Sequence, residues 1–159
     1  MLAMMRIMSL NINGIRSGAR KGFFEWLAKQ DVDVVCLQET KAKREQLSDP
    51  VFAPEGYHAF FHDAVKPGYS GTAIYTRHEP DAVHYGLGWP GADDEGRYVQ
   101  GDIGKLSVGS LYMPSGSSGE VRQNVKFEFM DQYEPLLLAQ KRKRREHIIC
   151  GDWNIVHKE

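Results

Sequence analysis

At 159 residues, with 42% hydrophobic and 26% charged side chains, the chain has the size and composition of one globular domain; a multidomain organisation has little room and disorder is excluded. Lys and Arg total 20 against 21 Asp and Glu, a net charge of −1, so any contact with a polyanion must come from a local patch and not from bulk charge. No run approaches the ~18 apolar residues of a membrane span.

The opening Met1-Leu2-Ala3-Met4-Met5 resembles a signal only faintly, because Arg6 follows and Asn11 and Asn13 cut the next apolar run; it reads as a ragged start into a strand over Arg6–Asn11, closed by Asn13-Gly14. Ala19–Gln30 is predicted to be a helix with Phe23, Trp26, Leu27 and Gln30 on one face. Val32–Leu37 is a nearly continuous apolar run, the mark of a strand covered on both faces. Tyr57–His62, Thr72–Arg77, Tyr98–Ile103 and Lys105–Tyr112 read as shorter strands in an antiparallel meander. After the polar turn Ser115–Gly119, a helix begins at Val121 with Val125, Phe129, Tyr133, Leu136 and Leu137 inward, and Pro135 predicts a break or kink. Lys141-Arg142-Lys143-Arg144-Arg145 is the dense charge cluster. It could touch a phosphate backbone; the preferred reading is the solvated end of a helix, far from the loops that carry polar motifs. His147–Cys150 is the last strand. Cys36 and Cys150 form no disulfide framework and read as small apolar residues of buried strands rather than as a redox pair or nucleophile, which fits a reducing cytoplasm.

Three segments place polar groups at the carboxyl ends of apolar strands: Leu10–Gly14, Leu37-Gln38-Glu39-Thr40-Lys41 and Gly151-Asp152-Trp153-Asn154. Such ends converge on one rim, where ligand sites form. They supply two carboxylates and several amide oxygens, hard donors suited to Mg²⁺, and no Cys/His cluster has zinc spacing. Phosphodiester hydrolysis needs such a set: a Lewis acid, a carboxylate to activate water, and donors for developing charge. Singly each segment is weak, since Asn-Gly marks turns and an acid after a strand often caps a helix.

Together, and in this order, the segments resemble the endonuclease/exonuclease/phosphatase superfamily and its exonuclease III type of apurinic/apyrimidinic endonuclease. Ser9–Arg16, Leu37–Lys41, Gly68-Tyr69-Ser70-Gly71, Glu95-Gly96-Arg97, Tyr112-Met113-Pro114 and Gly151–Asn154 carry the resemblance, which runs from about Arg6 to Glu159. It implies an α/β fold, the N-terminal half of a four-layer α/β/β/α sandwich (DNase I-like) with mixed, mostly antiparallel sheets. It implies Glu39 as the principal metal ligand with Asn11 beside it, and Asn13 at a position often acidic in relatives. On the same resemblance Tyr112 is similar to the tyrosine whose hydroxyl contacts the scissile phosphate, Asp152 to the carboxylate that orients or deprotonates water, and Asn154 to its partner amide. Tyr69, Arg97 and Lys126 fall where relatives contact DNA or flank the groove. Without the resemblance, Tyr69 and Tyr112 are equally core aromatics and Arg97 a surface ion-pair partner.

The implied activity is Mg²⁺-dependent (Mn²⁺ as an alternative) abasic-site endonuclease and 3′–5′ exodeoxyribonuclease action in base-excision repair, on double-stranded DNA with abasic sites or 3′ ends and no membrane. The alternatives are a phosphatase for phospholipid or inositol phosphate, or a non-enzymatic nucleic-acid-binding remnant. The family pattern departs at two places. Ser115 replaces the amide that usually follows Tyr-x-Pro, and nothing here matches the further Asp and the terminal Asp-His pair of the second half of relatives. Residues 1–159 are therefore expected to be one incomplete domain, inactive alone, self-associating through a bare apolar sheet face at Val34–Leu37 and Ile148–Cys150.

Overall fold

A computed structural model describes residues 4–156; the start of the ragged segment, residues 1–3, lies outside them. In chain order the elements are β1 (Ile7–Asn11), α1 (Ile15–Arg20), α2 (Phe23–Leu27), β2 (Val34–Gln38), β3 (His58–His62), β4 (Thr72–Thr76), β5 (Ala82–Tyr85), α3 (Pro90–Asp93), β6 (Tyr98–Ile103), β7 (Leu106–Tyr112), α4 (Glu120–Lys141) and β8 (Glu146–Asp152). They form two four-stranded sheets, ordered β1-β2-β4-β3 and β5-β6-β7-β8. Each sheet has one parallel pair, β1–β2 and β7–β8, and is otherwise antiparallel.

Side-chain alternation builds the layers. On β2, Val34 and Cys36 face the second sheet and meet Val99 and Val108, while Val35 and Leu37 face outward onto Ile15, Phe24 and Leu27. Both faces of β2 are thus covered, which is why its sequence lacks polar alternation. Across the second sheet, Tyr98 and Leu111 pack against Phe129 and Tyr133 of α4. The order helix, sheet, sheet, helix agrees with the sandwich expected from the sequence.

Several expectations are corrected. The helix expected over Ala19–Gln30 is two short ones, because the chain turns at Gly22 with φ 89°, a left-handed conformation that glycine adopts freely. The break changes the buried face: Phe24 and Leu27 are inside and Trp26 is 48% exposed. Pro135 does not interrupt α4. The carbonyl it strips of a donor belongs to Asp131, and both residues are exposed, so water can serve it. Val125 lies on the outer side of that helix. The expected meander is divided: β3–β4 closes one sheet, and β5–β6–β7 forms the other. β5 lacks an apolar run and was not expected from the sequence. The bare face expected at Val34–Leu37 is absent, since those residues are fully buried. The β1 and β8 edges expose single apolar side chains, Leu10 at 39% and Ile148 at 40%, and further exposed apolar residues are scattered over the surface, such as Val65 and Phe127.

Candidate active site

Parallel pairing makes both sheets end together. In register, Asn11 lies beside Gln38 and Tyr112 beside Asp152, so the carboxyl ends of β1, β2, β7 and β8 share one rim. The sheets are locked there by Gln38, whose Nε2 donates to Ser110 Oγ at 3.0 Å, and by Ser110 Oγ, which donates to the Leu37 carbonyl at 2.9 Å.

On this rim the side chains form one network. Asn11 Nδ2 lies 3.2 Å from Glu39 Oε1 and 3.0 Å from Asp152 Oδ2, joining the two carboxylates from different sheets. Tyr112 donates its hydroxyl to the same Glu39 oxygen at 2.5 Å. Lys41 Nζ sits 3.2 Å from Glu39 Oε2 and donates to Asn13 Oδ1 at 2.6 Å, while Asn13 N donates to Asn11 Oδ1 at 3.0 Å. Asp152 Oδ1 receives the Asn154 backbone N–H at 3.0 Å, and Asn154 Nδ2 donates to the Met113 carbonyl at 2.7 Å. Lys126 donates to the Asn154 carbonyl. Asn11, Glu39, Tyr112, Asp152 and Asn154, read from separate motifs, are brought together.

The backbone is held in unusual conformations at the same place. Asn13, Glu39, Lys41 and Asn154 all have φ between 47° and 53°. Asn tolerates this region, whereas Glu and Lys there cost of order 1–3 kcal/mol each, which surrounding bonds must offset. Gly151 is required for another reason: a Cβ there would run into the Leu111 carbonyl of the neighbouring strand.

Electrostatics set the protonation states. Burial opposes ionisation of Glu39, but hydrogen bonds from Tyr112, Asn11 and Lys41, with the Lys41 charge, outweigh it and hold the carboxyl below its ordinary range. Burial, and then the Glu39 carboxylate, push Tyr112 well above a normal phenol, so it stays a neutral donor.

Among the described residues no three His, Cys, Asp or Glu side chains cluster as a metal cage. The donor chemistry nevertheless fits Mg²⁺, which keeps several waters and needs one or two carboxylates. Glu39 Oε1 has both lone pairs engaged, but Oε2 keeps one beside Lys41, and each Asp152 oxygen accepts a single bond. Next to Asp152 and Asn154 opens a cavity of about 710 Å³, lined also by Ser115, Ser117, Gln123 and Lys126.

The three residues expected at a DNA groove are placed differently. Tyr69 is half-buried, its hydroxyl accepting from Arg97 and Arg122 at 3.2 Å each, with Lys66 over its ring. Lys126 is committed to the Asn154 loop. Arg97 is 2% exposed, so its guanidinium does not face a groove. It binds Glu95 at 2.6 Å and the Tyr112 carbonyl at 3.0 Å, and stacks on the Tyr112 ring at 4.9 Å. The surface ion-pair reading fails for the same reason. Arg97 positions Tyr112 and Tyr69. The motif alone assigns Lys41 no role; its proximity to Glu39 and Asn13, which the fold creates, reveals one.

A family model described as the endonuclease/exonuclease/phosphatase family matches residues 8–159. The chain is similar to an exodeoxyribonuclease of Bacillus subtilis, 36% identical over 159 residues, covering 98% of this chain and 60% of that protein. It is also similar to the DNA repair nuclease APEX1 of Danio rerio, 33% identical and covering 99% of this chain and 51% of that one. The solved structure of an AP endonuclease from Archaeoglobus fulgidus superposes with a TM-score of 0.82 at 29% identity, covering 98% of this chain and 59% of that one. The chain thus spans between 51% and 60% of the length of these proteins.

Proposed function

Because the chain belongs to the endonuclease/exonuclease/phosphatase family, we propose that its rim of Asn11, Glu39, Tyr112, Asp152 and Asn154 serves Mg²⁺-dependent hydrolysis of DNA phosphodiesters, at abasic sites and from 3′ ends, in a protein of its relatives' length. The observation that carries the proposal is the Asn11 amide bridging Glu39 and Asp152 across the two sheets. The names of the relatives, an exodeoxyribonuclease and a DNA repair nuclease, support DNA as the substrate.

Glu39, with Asn11 beside it, would hold Mg²⁺, which when bound would polarise a phosphoryl oxygen as a Lewis acid. Asp152 orients water and takes its proton; the Asn154 N–H fixes the carboxylate that does so. Tyr112, kept neutral, offers its hydroxyl to the phosphate, and Arg97 holds its ring and backbone in place. Lys126 and Gln123 line the cavity that receives the sugar–phosphate. Tyr69 borders the DNA through its ring.

The 159 residues assayed alone are inactive in this reading. The histidines with recorded partners, His62, His84 and His147, bond to Tyr98, Asp102 and Arg145, away from Glu39 and Asp152. Acid–base assistance from a positioned side chain is worth roughly 10²–10⁴ in rate. The exposed β1 and β8 edges also favour self-association, read by light scattering. The test of function is cleavage of an abasic duplex against hydrolysis of inositol phosphates by the chain extended to its relatives' length. Turnover of the second substrate alone refutes the proposal, and binding of DNA without turnover of either favours a non-enzymatic module.

A further inference from the structure

We infer that Lys141, Arg142, Lys143 and Arg144, at the rim opposite Glu39 and Asp152, form a second contact surface for the phosphate backbone of double-stranded DNA. Lys141 ends α4 and the others turn the chain into β8; all four are exposed. Among the described residues none enters an ion pair or a side-chain hydrogen bond, whereas Arg145 is engaged on two of its nitrogens. Its Nε donates to Ser107 Oγ at 2.6 Å and its Nη2 to the Leu106 carbonyl at 3.2 Å, with Asp102 at 3.8 Å. Arg145 therefore pins the corner, and the four cations before it project from a fixed base.

The nearby acid does not neutralise them. Asp102 already accepts from His84 at 2.8 Å, Gln100 at 2.9 Å and Ser107 at 2.7 Å. A helix C-terminus favours cations only within its last turn. That accounts for Lys141 and Arg142 but not for Lys143 and Arg144 beyond the cap. Between the end of α4 and β8 lies a trough of about 490 Å³ lined by Lys141, Lys143, Arg144 and Arg145 with His147, against one carboxylate, Glu146, so its charge is net positive. A trough admits a ridge of phosphates, while a flat anionic bilayer meets only its lip.

The surface is separate from the catalytic rim. β8 runs from Glu146 beside this corner to Asp152, six residue steps or roughly 20 Å. A duplex crossing the rim does not turn back to the corner, so the second contact takes another DNA segment and lets the protein bridge or transfer between segments. With a net charge of −1, sequence-independent attraction must come from local patches, of which this is one. The choice of DNA among polyanions rests on the proposed function; the patch itself does not.

The test measures binding of the 159-residue chain to an undamaged 20-base-pair duplex in EDTA by fluorescence anisotropy, from low to moderate salt. Replacing Lys141, Arg142, Lys143 and Arg144 together by Gln should weaken binding about tenfold and reduce the slope of log affinity against log salt by about 2–4, near 0.9 per lost phosphate contact. In the unaltered chain, DNA should protect Lys141 and Lys143 from acetylation, which keeps the test valid if the variant misfolds. Unchanged affinity and slope, or protection confined to Lys41 and Lys126, overturns the inference. Protection by phosphatidylserine vesicles but not by duplex overturns it in favour of a membrane. Because undamaged duplex and EDTA are used, failure of abasic-site cleavage leaves this result intact, and the reverse.

Discussion

Replacing Arg97 with Met tests whether this residue positions the site from within. Methionine keeps most of the packing volume but removes the bonds to Glu95, the Tyr112 carbonyl and Tyr69, and the stacking on Tyr112. Breaking a fully buried ion pair costs about 3–5 kcal/mol, mainly through the stranded partner. Here the Glu95 side chain is 31% exposed and regains water, so its share is discounted; the Tyr112 carbonyl and Tyr69 hydroxyl lose one donor each. A net loss of about 2–4 kcal/mol follows, and at roughly 2–4 °C per kcal/mol for a chain of this size the melting temperature falls by about 5–15 °C. Calorimetry on the Arg97→Met and Arg97→Lys variants measures it, with 19F NMR of fluorotyrosine at position 112 as the readout of ring position. Arg97→Lys should recover part of the stability but not the Tyr112 shift, because ammonium cannot serve Glu95 and stack together. A melting temperature within about 2 °C of the parent, with an unmoved Tyr112 resonance, refutes the positioning role.

Glu39 should titrate below an ordinary glutamate in 13C NMR, and Tyr112→Phe should raise its midpoint by removing a donor to the carboxylate. A folded value below the unfolded one makes this carboxylate stabilising above the ordinary glutamate range, and that contribution disappears as pH falls through the folded value. Glu39→Gln should weaken Mg²⁺ binding at least tenfold by calorimetry, as it removes one of the two carboxylates on the rim. Pro135→Ala should stabilise the chain by about 1–3 kcal/mol in urea unfolding, since it restores a helical bond to Asp131 without touching the core. Cys150, lowered by the neighbouring Cys36 thiol, should alkylate at lower pH than Cys36, which the same contact and burial raise; Cys36→Ala, which removes the donor, should move the Cys150 midpoint upward.

The strand segments and the motifs at their ends were legible in the chain because they are local. Apolar runs such as Val34–Leu37 need cover on both faces, and residues after such strands reach a rim whatever surrounds them. Asn11, Glu39, Asp152 and Asn154 could therefore be placed on a rim, and Tyr112, the residue roles and the layered architecture followed from the family resemblance. What was illegible depends on contacts distant in sequence. The Asn11–Asp152 hydrogen bond spans 141 positions and exists only because two sheets stack with both parallel pairs pointing the same way. Periodicity could not reveal that Gly22 would turn left-handed and expose Trp26, nor that solvent beside Asp131 would let α4 pass through Pro135. An arginine in Glu-Gly-Arg looks the same whether it meets DNA or the core; the packing of Tyr112 and Glu95 around Arg97 buried it. Local composition determined which groups stand at the rim, and tertiary packing decided which are free to meet a substrate and which are spent holding the others in place.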